Sequence, residues 1–349
     1  MAACGPSVDP EALGVCGRER GLDRQEVFPP ADQWASADAI VVNDDRVFAT
    51  VNRGAAVLGK HRVLRAYDGE GELVWEHDGA DEELGRALTT TPDGGVVICD
   101  RRQGVGTRLT RFTANGDVVW SNTGPVDCNG IAVTRSGLIA VGGEGEIFTF
   151  DADGEPRDSW IIRHVSWIKD IVADGDSLVV LLTYTHNFTI ERYREDGEFE
   201  WAQPIGLGRV TTGASSITVA GDAGGIVVAG WIEHPFSGVR RQSALWRLSA
   251  DGEQLWTTEE DAFDGVSGHF SHVVADPDGQ LLVVGSAGDP VNGMFVAGYS
   301  AQGERQWWDG GPSAEFGHGH ALALDSCGSV YVAGTMEQEG RIARYTPPD

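Results

Sequence analysis

Lysine is almost missing from this chain. Among its 349 residues only Lys60 and Lys169 carry an ammonium group, and every other basic side chain is an arginine or a histidine. Lysine and arginine together number 26 against 53 aspartates and glutamates, a formal charge of −27. A surface this acidic repels phosphate, which argues against sequence-independent nucleic-acid binding and against docking on an anionic lipid surface. No run of 18 apolar residues occurs, so no segment reads as a membrane-spanning helix. Also missing are adjacent cysteines, a phosphate-cradling glycine loop, a nucleophile elbow and a zinc-protease motif. What is plentiful is glycine, 48 residues, beside 11 tryptophans and an apolar share of 41%. That share suffices for a core. Many glycines with regularly placed tryptophans point to an all-β chain with many tight turns.

The tryptophans belong to a repeat. Glycine, an acidic residue, two spacers and Trp recur as Gly71–Trp75, Gly116–Trp120, Gly197–Trp201, Gly252–Trp256 and Gly303–Trp307. A sixth copy, Gly154 to Trp160, carries two extra residues. Each copy follows a short alternating run that ends at Tyr67, Phe112, Phe150, Tyr193, Leu248 or Tyr299. The Asp-Gly and Asn-Gly pairs there favour tight hairpins, because glycine accepts positive φ. A second motif interleaves: an apolar strand, a polar turn, then a stronger apolar strand ending in small residues, as in Ala321–Asp325, Gly328 and Val330–Gly334. Seven such turns fall near Asp45, Gly94, Gly137, Gly175, Gly224, Gly279 and Gly328.

Four short strands, A to D, therefore recur about every 45 residues, the period of a β-propeller blade. A lone blade cannot bury both faces, so blades stack around an axis, with the strand D tryptophans wedged between neighbours. The expected fold is an all-β propeller of seven four-stranded blades, with six or eight as the alternatives. The seventh unit stops after Arg341–Tyr345, short of its outer strand. The segment from Gly21 to Phe28 can supply that strand and close the ring, which removes an open sheet edge. Residues 21–349 then form one propeller domain and residues 1–20 an N-terminal tether.

These repeats resemble the bacterial propeller repeats of the quinoprotein-like family. The resemblance rests on the tryptophan-docking motif, as in Asp196-Gly197-Glu198-Phe199-Glu200-Trp201, and covers the chain from about Ala35. It implies architecture. Members include pyrroloquinoline-quinone (PQQ) dehydrogenases and non-catalytic envelope lipoproteins that serve as assembly scaffolds. The dehydrogenases carry a vicinal cysteine pair near the quinone. That pair is lacking here, so no PQQ cofactor is expected.

Met1-Ala2-Ala3-Cys4-Gly5 is similar to the end of a bacterial lipoprotein signal, in which the cysteine is lipidated. The charged and apolar regions that should come first are absent, so the match is either a signal remnant or chance. If Cys4 is lipidated, Cys16, Cys99, Cys128 and Cys327 remain. Propeller topology suggests Cys16–Cys327 as a staple of the ring closure and Cys99–Cys128 as a link between adjacent blades. Buried free thiols are the alternative. Disulfides would imply an oxidising, extracytoplasmic compartment, here the bacterial cell envelope, whether lipid-anchored through Cys4 or secreted.

In a propeller the A strands line the axis and the loops entering them converge on one face. Aligning the seven units places Arg86, Asp127, Asn129, Lys169, Asp170 and Ser216 at a binding funnel, together with His269, His272, His318 and His320. Four of nine histidines thus fall in two neighbouring blades. Imidazoles suit a Zn-like divalent transition metal. The plainer alternative is that they bond water and backbone. The Asp-Gly turns lack a calcium-loop ligand series and read as hairpin chemistry. The long excursion from Trp231 to Gln242 offers Trp231, His234, Phe236, Arg240 and Arg241 as partner contacts.

Two functions follow as expectations. One is a non-catalytic, monomeric binding or scaffold propeller that presents its funnel and top loops to a protein, peptide or glycan. The other is a metal-dependent lyase or hydrolase working through the four histidines, with Asp127, Asp170 or Lys169 as acid, base or charge stabiliser.

Overall fold

The structure is a computed structural model. It describes residues 21–346 except 29–33, 44–45, 56–58, 81–82, 103–105, 125–126, 165, 207–209, 222–224, 235–240, 261–266, 289–292, 311–316, 327 and 337. Cys4, Cys16, Cys327, Phe236 and Arg240 lie outside the described residues, and with them the lipid anchor and the Cys16–Cys327 pairing.

Twenty-eight strands, β1 to β28 in chain order, form seven four-stranded antiparallel sheets, and no helix is present among the described residues. The innermost strands are β2 (Trp34–Asn43), β6 (Glu83–Thr90), β10 (Gly130–Val133), β14 (Trp167–Asp174), β18 (Thr211–Ala220), β22 (Gly268–Ala275) and β26 (His318–Leu324). The seventh blade closes as expected. Strand β1 (Gly21–Phe28) pairs antiparallel with β28 (Glu339–Thr346), from Gly21 opposite Thr346 to Phe28 opposite Gly340. Chain ends in one sheet turn the linear repeat into a circle, with β1 covering the outer edge that β28 would otherwise leave open.

The core is seven apolar layers, each sandwiched between two neighbouring blades. One such layer joins Val179, Leu181, Phe188 and Ile190 of the fourth blade to Ile217, Ile226, Val228 and Trp246 of the fifth. The Gly-to-Trp repeat supplies the outer part of these seams. Gly116, Gly197, Gly252 and Gly303 all have φ between +82° and +90°. A methyl placed on Gly252 would lie 2.7 Å from the Trp201 ring of the preceding blade, and one on Gly197 2.9 Å from Trp160. These glycines are thus both turn residues and the floor on which the previous tryptophan rests. The indole N–H completes the lock: Trp75, Trp120, Trp201 and Trp256 donate to the carbonyls of Ala114, Ala152, Ala250 and Ala301 in the next blade, at 2.9–3.2 Å. The irregular copy behaves differently. The Trp160 N–H is buried with no such partner, consistent with its two extra residues displacing it along the strand.

Where the ring closes, arginine replaces tryptophan. Arg344 of the seventh blade donates to the Gly69 carbonyl of the first at 3.0 Å and to Ser329 Oγ at 2.8 Å. Between the first two blades a second polar tie is fully buried, the fork of Arg62 on Asp100 at 2.6 and 2.8 Å. The Cys99–Cys128 disulfide links the second blade to the third, with its Cα atoms 6.4 Å apart, in agreement with the expected pairing.

Candidate functional site

Within each blade strand A runs away from the face on which it is entered, and B returns to it. The starts of A and C and the ends of B and D therefore share one face, the top. An axial channel of about 520 Å3 opens between the A strands.

Six of the seven A strands break the simple two-residue alternation at the same place. The ladder slips between Ala37 and Ala39, Gly85 and Ala87, Ile168 and Asp170, Ala214 and Ser216, Phe270 and His272, and Gly319 and Ala321. The extra residues of these β-bulges are Asp38, Arg86, Lys169, Ser215, Ser271 and His320. Bulges re-aim side chains, often beside functional sites. Each bulge residue stands two positions before a buried apolar residue: Ile40, Leu88, Ile171, Ile217, Val273 and Leu322. In the third blade, which has no bulge, Asn129 holds the same place before Ile131. All seven side chains line the channel near its top end. Read around the axis they are Asp38, Arg86, Asn129, Lys169, Ser215, Ser271 and His320.

The sequence-derived candidates divide accordingly. Arg86, Asn129, Lys169 and His320 belong to the ring. Asp170 and His272 line the channel one residue further along their strands. Ser216 is 1% exposed and sits behind the wall; its neighbour Ser215 takes the channel position. Asp127 lies outside the channel lining and pairs with Arg101 at 3.6 Å. Asp38, Ser215 and Ser271 escaped sequence reading. Counting two residues back from the buried Ile, Leu or Val of each A strand would have found them.

The histidines do not gather on one point. His320 Nδ1 lies 2.9 Å from Asp38 Oδ1 and 3.3 Å from Ser36 Oγ. His318 is exposed at the top rim, with its ring centre 6.5 Å from that of His320 and Nδ1 3.3 Å from Ser286 Oγ. His269, also near the rim, titrates below its ordinary value because of burial, reinforced by the charges of His318, Arg241, His320 and Lys169. His272 shows one edge to the channel, but its Nδ1 is shut off from solvent and bonds to nothing. Burial pushes it down to about 4, so it is neutral at pH 7. Among the described residues no three His, Cys, Asp or Glu side chains come together around a common metal position.

Both carboxylates on the channel wall are engaged. Asp38 accepts from Ser36 Oγ at 2.5 Å, from Asn52 Nδ2 and from His320. Asp170 accepts the backbone N–H of Ile171 at 2.9 Å and, across the blade boundary, that of Ile217 at 3.1 Å. Burial lifts Asp170 to about 6, against the pull of those two N–H groups and of the Lys169 charge.

Beside the channel the top face carries exposed apolar groups. Ile161 at the end of its strand is 73% exposed, Trp167 at the start of β14 57%, and Tyr184 in the adjoining hairpin 37%. Topology draws them together: Trp167 pairs with Thr183, next to Tyr184, and bridges to Glu144, two residues before Glu146, the partner of Ile161. In the fifth-blade excursion, the Arg241 guanidinium lies 4.3 Å over the Trp231 ring and His234 meets Glu259 at 2.7 Å.

The sequence matches no protein-family model and no curated protein. No match places the chain in the quinoprotein-like family. Solved structures agree on the fold. A chain of the mitotic checkpoint complex superposes with a TM-score of 0.66 at 11% identity over the whole of both chains. The WD40 domain of Neurospora crassa Pan2 gives 0.63 at 10% identity, over 91% of this chain and 90% of that one. A catalytically inactive virginiamycin B lyase from Staphylococcus aureus, with quinupristin, gives 0.64 at 15% identity, over 93% of this chain and 99% of that one. At such identities the likeness shows the fold alone, and this chain is a seven-bladed β-propeller.

Proposed function

We propose that this chain is a non-catalytic binding propeller that offers its top face, as a monomer, to a protein partner. The observation that carries this reading is the exposed group Ile161, Trp167 and Tyr184 on the top face. Large apolar side chains held on a rigid sheet end and left to water mark an interaction site, and aromatic anchors dominate such interfaces. Propeller neighbours that include a chain of the mitotic checkpoint complex and a WD40 domain support a scaffold role. A peptide or glycan would use the same aromatic surface. The test is affinity capture with the wild type and with an Ile161→Asp/Trp167→Ala variant, followed by reconstitution of the complex and its sizing. Loss of the partner from the variant supports the reading; equal recovery by both proteins would refute it.

Residence in an extracytoplasmic, envelope compartment is part of the proposal and is supported by the Cys99–Cys128 bridge, since disulfides persist in oxidising surroundings. Alkylation of free thiols before cell lysis tests it: modification of both cysteines would count against it. The lyase or hydrolase reading has the virginiamycin B lyase fold in its favour. It has less support from the chain itself, where His269, His272, His318 and His320 form no metal-holding group among the described residues.

A further inference from the structure

The seven-residue ring is unbalanced in a way that names its guest. Arg86, Asn129 and Lys169 come from three consecutive blades and form one arc of the channel wall. Among the described residues none of these side chains makes a hydrogen bond or an ion pair. Ser215 and Ser271, which continue the ring, make none either. Every one of these groups can donate. The carboxylates that could neutralise the cations are already used: Asp38 is held by Ser36, Asn52 and His320, and Asp170, beside the arc, by two backbone N–H groups. Elsewhere on the described surface, arginines pair readily with the surplus of carboxylates, as Arg192 does with both Asp174 and Glu200. In a chain of net charge −27, one of its two lysines and an arginine are thus set without partners into the axial channel.

We infer that the top of the axial channel is a binding site for a small multivalent anion, its carboxylate or phosphate oxygens taken by Arg86 and Lys169, with Asn129 between them and Ser215 and Ser271 continuing the ring beyond Lys169. This deepens the binding reading above and rests on it, by adding a small ligand beside the protein-binding surface. Guanidinium and ammonium donors to an anion form the stronger class of hydrogen bond. The channel walls lower the local dielectric and strengthen the field of the two cations. The acidic exterior would repel such an anion at long range, so affinity must come from the ring itself.

The experiment is calorimetric titration of the purified chain with inorganic phosphate and, separately, with succinate, repeated at higher salt. The variants are Arg86→Gln, Lys169→Gln and both together. Lys60→Gln, at the other lysine, is the control. The expected result is saturable binding of one anion per chain, weakened ~10-fold or more by each single change, lost in the double variant and unaltered in the control. The two arms tell a phosphate site from a carboxylate site. No saturable binding of either anion, or equal binding by the double variant, would overturn the inference. Partner capture separates the two proposals. A chain that holds its partner through Trp167 but binds neither anion sinks this inference alone. One that binds an anion but loses nothing on Trp167→Ala sinks the protein-binding surface alone.

Discussion

The outer girdle and the inner ring are built from the same seven-fold repeat, but selection by geometry acts on them in opposite ways. At the girdle most blades do the same thing: Trp75, Trp120, Trp201 and Trp256 each cross to the next blade, rest on a glycine and donate to a turn carbonyl, while Trp160 keeps the packing without the bond and Arg344 makes the tie at the ring closure. At the ring each blade places a residue at the same spot, but the residues are an acid, two cations, an amide, two hydroxyls and an imidazole. Uniformity outside holds the circle together. Variety inside, on a uniform backbone, is what a recognition site needs.

The sharpest way to break this contrast is at the girdle. Trp201→Ala removes a half-buried indole and its bond to Ala250. It is expected to cost about 3 kcal/mol, the low end for a buried tryptophan. Urea unfolding checks this, and a loss well under about 1 kcal/mol would mean that the girdle is not what holds the blades. Anion binding in the channel should be untouched.

A smaller effect comes from the channel wall through pH. His272 is held at about 4 in the fold, against an ordinary 6.5. Its neutral form is the one the fold accepts, so its contribution is fully present above pH 6.5 and is lost as pH falls toward 4. Asp170, raised to about 6 from 3.8, acts with the opposite sign: its stabilisation is present below 3.8 and disappears as pH rises through 6. The two largely offset each other in the wild type between pH 4 and 6.5. His272→Gln removes one side of that balance. From pH 7 to pH 5 the variant should lose about 2 kcal/mol less stability than the wild type. Parallel unfolding curves at the two pH values would show instead that His272 meets water in the fold.

The smallest stability effect should come from the ring itself. Arg86→Gln with Lys169→Gln is expected to shift unfolding by less than about 0.5 kcal/mol, because neither side chain is tied to the protein. A large loss would recast these cations as structural groups and erase the distinction between ring and girdle.

The girdle was legible in the sequence because it repeats: six glycine-to-tryptophan spacings gave the blade period, and the missing outer strand after Tyr345 pointed to the segment Gly21–Phe28. The ring was legible only in part. Arg86, Asn129, Lys169 and His320 were found by aligning A strands, while Ser216 stood in for Ser215 and His272 for Ser271, and Asp38 was missed. Strict alternation along a strand gives the wrong parity once a bulge adds a residue, and nothing in the local composition announces the bulge.

Local pattern thus determined, by itself, the all-β class, the four-strand period of a blade and a candidate strand for closing the ring, with seven blades as the best fit that the structure then fixed. Alternation, turn glycines and period are properties of neighbouring residues, and they survive in the sequence. Only the tertiary structure decided which side chains meet at the axis, that His269, His272, His318 and His320 form no metal-holding group among the described residues, and that Arg86 and Lys169 make no hydrogen bond or ion pair there. Those facts depend on residues some 40 to 280 positions apart brought together by closure of the circle, and on a one-residue bulge that re-aims side chains in six of the seven A strands.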